Sequence, residues 1–117
     1  MSMNNKFDLE ERTAKFGENI IIFCSSLIKN EITKPIINQL VKCGTSVGAN
    51  YCEADDAESS KDFKHKIGIC KKESREAKHF LRMASVAVPE CREKAIRLWM
   101  EAKELNLIFN SIFKKVK

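Results

Sequence analysis

Apolar and small residues recur at alternating spacings of three and four along nearly the whole chain, in four separate runs. The first is Leu9, Thr13, Phe16, Ile20, Phe23 and Leu27, and the second Ile37, Leu40, Gly44, Val47, Tyr51 and Ala54. The third is Phe63, Ile67, Cys70, Ser74, Ala77, Leu81, Ala84 and Val88, and the fourth Cys91, Ala95, Leu98, Ala102, Leu105, Phe109, Ile112 and Val116. This spacing collects side chains on one side of an α-helix. A stripe of that kind must be covered, and four stripes of similar length cover one another in a bundle. No stretch alternates as a strand does.

The breaks between the runs fit the same reading. Lys29 to Thr33 is polar, with Thr33 a candidate N-cap and Pro35 tolerated in the first turn that follows. Ser59 or Ser60 can cap the third run, with Asp62 near the positive end of the helix dipole. Pro89 suits the first turn of the fourth run. The expected helices are 8–28, 34–57, 60–86 and 89–115. Short connections make consecutive helices antiparallel neighbours. The fold expected over residues 1–117 is therefore all-α: a single-domain, antiparallel up-down-up-down four-helix bundle.

The second run is unusual within this frame. Gly44 and Gly48 interrupt it, and each costs about 1 kcal/mol in a helix relative to alanine. Glycines at this spacing mark a place where two helix backbones come close. Ser46, Asn50 and Glu53 lie on one face beside them. Such a polar stripe can contact a ligand or nucleic acid, or it can make hydrogen bonds between helices or subunits that fix register. The second reading is preferred, with Glu53 paired to Lys66, Lys72 or Arg75.

Charge is localised. The net charge is +5, and residues 61–82 carry eight Lys/Arg against three acids, so the excess sits on the third helix. Lys64, Lys71, Arg75, Lys78 and Arg82 each follow a core position by one residue. They form a ridge about 100° from the core direction. Such a ridge can bind phosphates. The ridge shows no interleaved aromatic platform for single-stranded bases. Glu53, Asp55, Asp56 and Glu58 form an acidic counterpart, so charge pairing between subunits is the rival use.

Signals for catalysis are weak. Glu76-Ala-Lys-His79 has the Glu-x-x-His spacing of di-iron bundles, but the other candidate, Asp62-Phe-Lys-His65, falls on the same helix. No Ser/His/Asp arrangement is evident, and Gly44-x-x-x-Gly48 lacks the Gly-Lys-Ser/Thr of a phosphate loop. The five cysteines, Cys24, Cys43, Cys52, Cys70 and Cys91, form no CxxC pair and read as reduced, mostly buried thiols. No metal or cofactor is expected. Met1–Phe7 is polar and Ile20–Cys24 is too short an apolar run to span a bilayer, so a soluble, cytoplasmic protein without membrane contact is expected. Ile21, Ile22, Ile36, Val41, Ile69, Phe80, Val86 and Ile108 are apolar positions outside the seam. A bundle this small should not bury both sets, which points to self-association.

Several motifs together resemble one family. They are Phe7-Asp-Leu-Glu-Glu-Arg12, Asn38-Gln-Leu40, Gly44-Thr-Ser-Val-Gly-Ala-Asn-Tyr-Cys-Glu-Ala54, Ala57-Glu-Ser-Ser-Lys-Asp-Phe63 and Lys72-Glu-Ser-Arg-Glu76. Over its full length the chain resembles the four-helix-bundle proteins encoded by intervening sequences within bacterial 23S rRNA genes. It departs from them at Lys42-Cys43, where the family often has Arg-Ser, and at His79-Phe80, where an aromatic-Trp pair is common. The resemblance implies a homopentamer arranged as a barrel and no enzymatic activity. It also implies kinship to the accessory protein of diversity-generating retroelements, which binds nucleic acid and a reverse transcriptase through a basic surface. By that analogy the partners are further copies of the chain, rRNA or other structured nucleic acid, and a reverse transcriptase. The nucleic-acid contacts would fall on Lys64, Lys71, Arg75, Lys78 and Arg82.

Overall fold

The structure is a computed structural model that describes residues 8–117; the N-terminal stretch Met1–Phe7, read above as polar, lies outside the described residues. Four helices follow in order: α1 Leu9–Ser25, α2 Thr33–Asp55, α3 Ser60–Ala87 and α4 Arg92–Lys115, with a single 3₁₀ turn at Pro89–Cys91 before α4. Among the described residues there is no strand. The bundle measures 44 × 28 × 19 Å.

Local chemistry sets each end. Asp8 caps α1 by accepting the Glu11 backbone N–H at 3.1 Å, and Glu10 and Glu11 occupy the first turn. Ser59 caps α3 as expected, accepting from the Asp62 N–H at 3.0 Å. Two expected starts differ. Thr33 is the first residue of α2, and Asn30 does the capping: its Oδ1 accepts the Ile32 and Thr33 N–H groups, each at 2.9 Å. The Thr33 hydroxyl instead donates back to the Ile28 carbonyl at 2.6 Å and closes the turn. Pro89 opens the 3₁₀ turn rather than α4. Val88, held out of the helical region ahead of a proline, ends α3 and forces this reorientation.

The four periodic runs meet as expected. Every residue of the first run is buried. In the other three, Ile37, Tyr51, Phe63, Val88, Leu98, Ile112 and Val116 are half-buried and the rest are buried. Phe16, Ile20, Leu40, Ile67, Leu81, Leu105 and Phe109 fill the centre. Of the apolar set outside the seam, Ile36, Val41, Ile69, Phe80 and Ile108 are half-buried, so the bundle covers more of that set than expected. Ile21, Ile22 and Val86 remain exposed.

Helices α2, α3 and α4 pack in sequence, and α1 rests mainly on α2, touching α4 over a shorter stretch. The α1–α2 contact is the glycine seam. A Cβ at Gly44 would lie 2.9 Å from both Cγ1 and Cγ2 of Ile20, and one at Gly48 would lie 3.3 Å from the Thr13 carbonyl carbon and oxygen. Gly17 of α1 faces Thr45, with more room: a Cβ there would sit 3.5 Å from the Thr45 Cα. Across the thin α1–α4 contact, Arg12 grips Glu101 with two parallel hydrogen bonds of 2.7 and 2.9 Å. That hydrogen bond, ahead of the charge attraction, raises the Arg12 pKa.

Candidate nucleic-acid interface

Helix α3 is the longest of the four, and its core face alternates Ile67, Cys70, Ser74, Ala77, Leu81 and Ala84. The five ridge cations stand one residue beyond those positions, on the flank that turns toward α4. Lys64, Lys71 and Lys78 are half-buried, and Arg75 and Arg82 are exposed. At 1.5 Å per residue the ridge runs about 27 Å from end to end. Among the described residues no ion pair engages any of the five.

The flank is not purely cationic. Helix α4 runs antiparallel to α3 and sets Phe113 opposite Lys64 and Trp99 opposite Lys78. The Lys64 and Lys71 ammonium groups lie 4.7 and 4.6 Å from the Phe113 ring centre. Lys78 and Lys103 lie 5.4 and 5.7 Å from the Trp99 ring. Between them, Asn106 Nδ2 donates to the Lys71 carbonyl at 2.8 Å and pins the register of the two helices. Aromatic residues thus do interleave with the ridge, which corrects the reading from sequence; they come from the neighbouring helix, where linear inspection of α3 cannot find them. The signal was present as spacing: Phe113 and Trp99 are fourteen residues apart, as are Lys64 and Lys78.

The polar stripe of α2 is used more locally. Asn50 Nδ2 donates to the Ser46 carbonyl of its own helix at 2.9 Å. Glu53 makes the cross-helix bond, 2.6 Å from the Lys66 ammonium, and that bond raises the Lys66 pKa. Among the described residues this is the one hydrogen bond or ion pair from the stripe to another helix. Asp55, Asp56 and Glu58 are exposed at the α2–α3 turn.

Asp62, His65, Glu76 and His79 are all exposed on α3, with His79 edge-on to Phe80 at 5.1 Å between ring centres. Among the described residues, no three His, Cys, Asp or Glu side chains come together as a metal site would need. Cys24, Cys43, Cys70 and Cys91 are buried and Cys52 is exposed. Burial pushes the thiol of Cys24 up to about 11, and those of Cys43 and Cys70 up to about 12. For Cys43, Glu73 and Glu76 add to the burial effect. Glu73 is itself raised, by burial and then by Glu76. Among the described residues, no helix is long and apolar enough to cross a membrane.

This bundle and its sequence motifs can be placed among known proteins. Residues 5–111 match the family described as 23S rRNA-intervening sequence protein. The chain belongs to that family. A comparison with curated proteins finds no match. Among solved structures, this family member is similar to a protein of unknown function from the S23 ribosomal protein family of Bacteroides thetaiotaomicron. The two share 27% identity and superpose with a TM-score of 0.82, over 92% of this chain and 99% of the other.

Proposed function

We propose that this 23S rRNA-intervening sequence protein is a non-catalytic, cytoplasmic, oligomeric bundle that binds structured nucleic acid without sequence preference through the α3 flank. The observation that carries the reading is the row of five cations on one flank, none in an ion pair among the described residues. Charges held in a row and left unpaired suit a polyanion better than an isolated carboxylate. Exposed Ile21, Ile22, Ile28 and Ile32, on α1 and the turn after it, support self-association. A homopentamer would present several ridges at once and gain avidity from sites that are weak singly.

The test is anisotropy of a labelled structured RNA and a duplex DNA across a salt series. If all five cations neutralise phosphates, the logarithm of affinity falls with the logarithm of salt at a slope of about −4.5 per subunit. Reversal of two charges, K71E with R75E, should weaken binding to every sequence alike and make that slope shallower. Unchanged binding in this variant would remove the ridge from the reading.

A second reading has support in the exposed Asp55, Asp56 and Glu58, which make no ion pair among the described residues. Here the ridge pairs with these acids on a neighbouring subunit, and the protein is a scaffold for other proteins. The same double reversal would then lower the mass seen by light scattering and leave no nucleic-acid affinity to lose.

A further inference from the structure

We infer that two aromatic grooves on the α3–α4 flank take unpaired nucleobases, so that the ligand is nucleic acid with single-stranded nucleotides rather than uniform duplex. This inference rests on the nucleic-acid reading above and names the ligand class of that same flank.

The first groove lies at the α4 C-terminal end. It has a volume of ≈ 420 Å³ and is walled by the Phe113 ring, with Lys61, Lys64, His65, Lys72 and Lys117 around it. Gly68 shapes it: a Cβ there would be 3.2 Å from Phe113 Cε2, so a larger residue would require the ring to shift slightly from the α3 backbone. The second groove, of ≈ 640 Å³, is walled by Trp99, Val86, Ile96 and Met100 and rimmed by Arg82 and Arg92. Both volumes fall within the range of about 300–1,000 Å³ found for small-molecule sites. The two rings stand on α4 about 21 Å apart, at 1.5 Å per residue. Lys71, Arg75 and Lys78 continue the cationic path between them.

Three features favour a base over other occupants. Each groove joins a half-open aromatic ring to cations, the pairing that single-strand binders use for base and phosphate. Neither groove has a carboxylate in its lining, whereas grooves lined by α1 hold Asp8, Glu11 and Glu101 in one case and Glu10, Glu11 and Glu18 in the other. Finally, lysines already cover the rings at 4.6–5.7 Å. A flexible ammonium can leave a ring for a phosphate while a base takes the vacated face. A base inside a duplex has no face to offer, so the preference for unpaired nucleotides follows.

Trp99 is the only tryptophan in the chain and therefore reports directly. Its emission should be quenched by an unlabelled twelve-nucleotide oligothymidine and left nearly unchanged by a twelve-base-pair duplex. In anisotropy titrations, F113L and W99L should each lose about fivefold or more in affinity for the single strand while holding the duplex as wild type does. Helical circular dichroism confirms that each variant is folded, and the wild-type quenching needs no variant at all. Unquenched Trp99 at saturating single strand, with duplex binding intact, overturns the stacking sites and leaves the cationic ridge standing. So does quenching by polyglutamate of equal length to the same extent, which would mark the grooves as sites for an acidic peptide. If neither nucleic acid binds at low salt, the nucleic-acid reading itself falls, and the stacking sites fall with it.

Discussion

The glycine seam makes a prediction in which two similar substitutions have opposite signs. Alanine in place of a helical glycine gains about 1 kcal/mol of propensity. At Gly17 nothing opposes that gain, because the new Cβ would meet the Thr45 Cα at 3.5 Å, an ordinary contact. At Gly44 the new Cβ would meet two Ile20 carbons at 2.9 Å. Ile20 is fully buried and β-branched, so it has no free rotamer to retreat into. Overpacking of this kind costs about 1–3 kcal/mol. The upper part of that range applies, which leaves G44A destabilised by about 1–2 kcal/mol after the propensity gain, while G17A is stabilised by about 1 kcal/mol. Urea unfolding read by circular dichroism would place the two midpoints on either side of wild type. In an I20A background the clash disappears, so G44A should there become neutral or stabilising, a coupling of about 1–3 kcal/mol. A G44A midpoint raised as much as that of G17A, or a penalty equal in both backgrounds, would refute the close approach of α1 and α2.

Three further outcomes follow from the packing. E101Q should cost about 1 kcal/mol at low salt, because it breaks a two-bond grip between α1 and α4 on partly exposed side chains, and the loss should shrink as salt rises; a penalty independent of salt would contradict an ionic origin. At pH 8 a thiol reagent such as DTNB should titrate Cys52 quickly and the four buried cysteines only in denaturant; prompt release of two or more equivalents from the folded protein would mean the core is not closed. Stability should fall as pH rises from 9 toward 12. Thiols of the unfolded chain ionise near 9.0, those of folded Cys24, Cys43 and Cys70 at about 11, 12 and 12, so the raised values stabilise fully below 9 and that contribution is lost on going up. The fall in urea midpoint between pH 9 and 11 should be shallower in C70A than in wild type.

Helix identity and faces were legible because burial imposes them on composition directly. Leu9 through Leu27 could be read as one stripe from spacing alone, and so could the close approach at Gly44 and Gly48. The Glu53–Lys66 pair was within reach because the two residues flank one short turn. What spacing does not carry is the register between helices. Arg12 and Glu101 are 89 positions apart, and neither carries a local sign of the other. Phe113 and Trp99 could be assigned to the ridge only once the antiparallel offset of α3 and α4 was known. At the helix starts, competition among short polar side chains decided the outcome. Asn30 and Thr33 both fit a cap, and the one that could reach two N–H groups at once took the role.

Gly44 and Gly48 also bear on the order in which the bundle comes together. Together they remove about 2 kcal/mol of intrinsic helicity from the middle of α2, so that segment is poorly formed in an isolated chain. The deficit is recovered when α1 and α3 pack against it. The turn that joins α1 to α2 is short, so bringing α1 against this segment carries a small loop-closure cost. The same glycines that let α1 lie close in the finished molecule leave the middle of α2 dependent on its neighbours for its helicity.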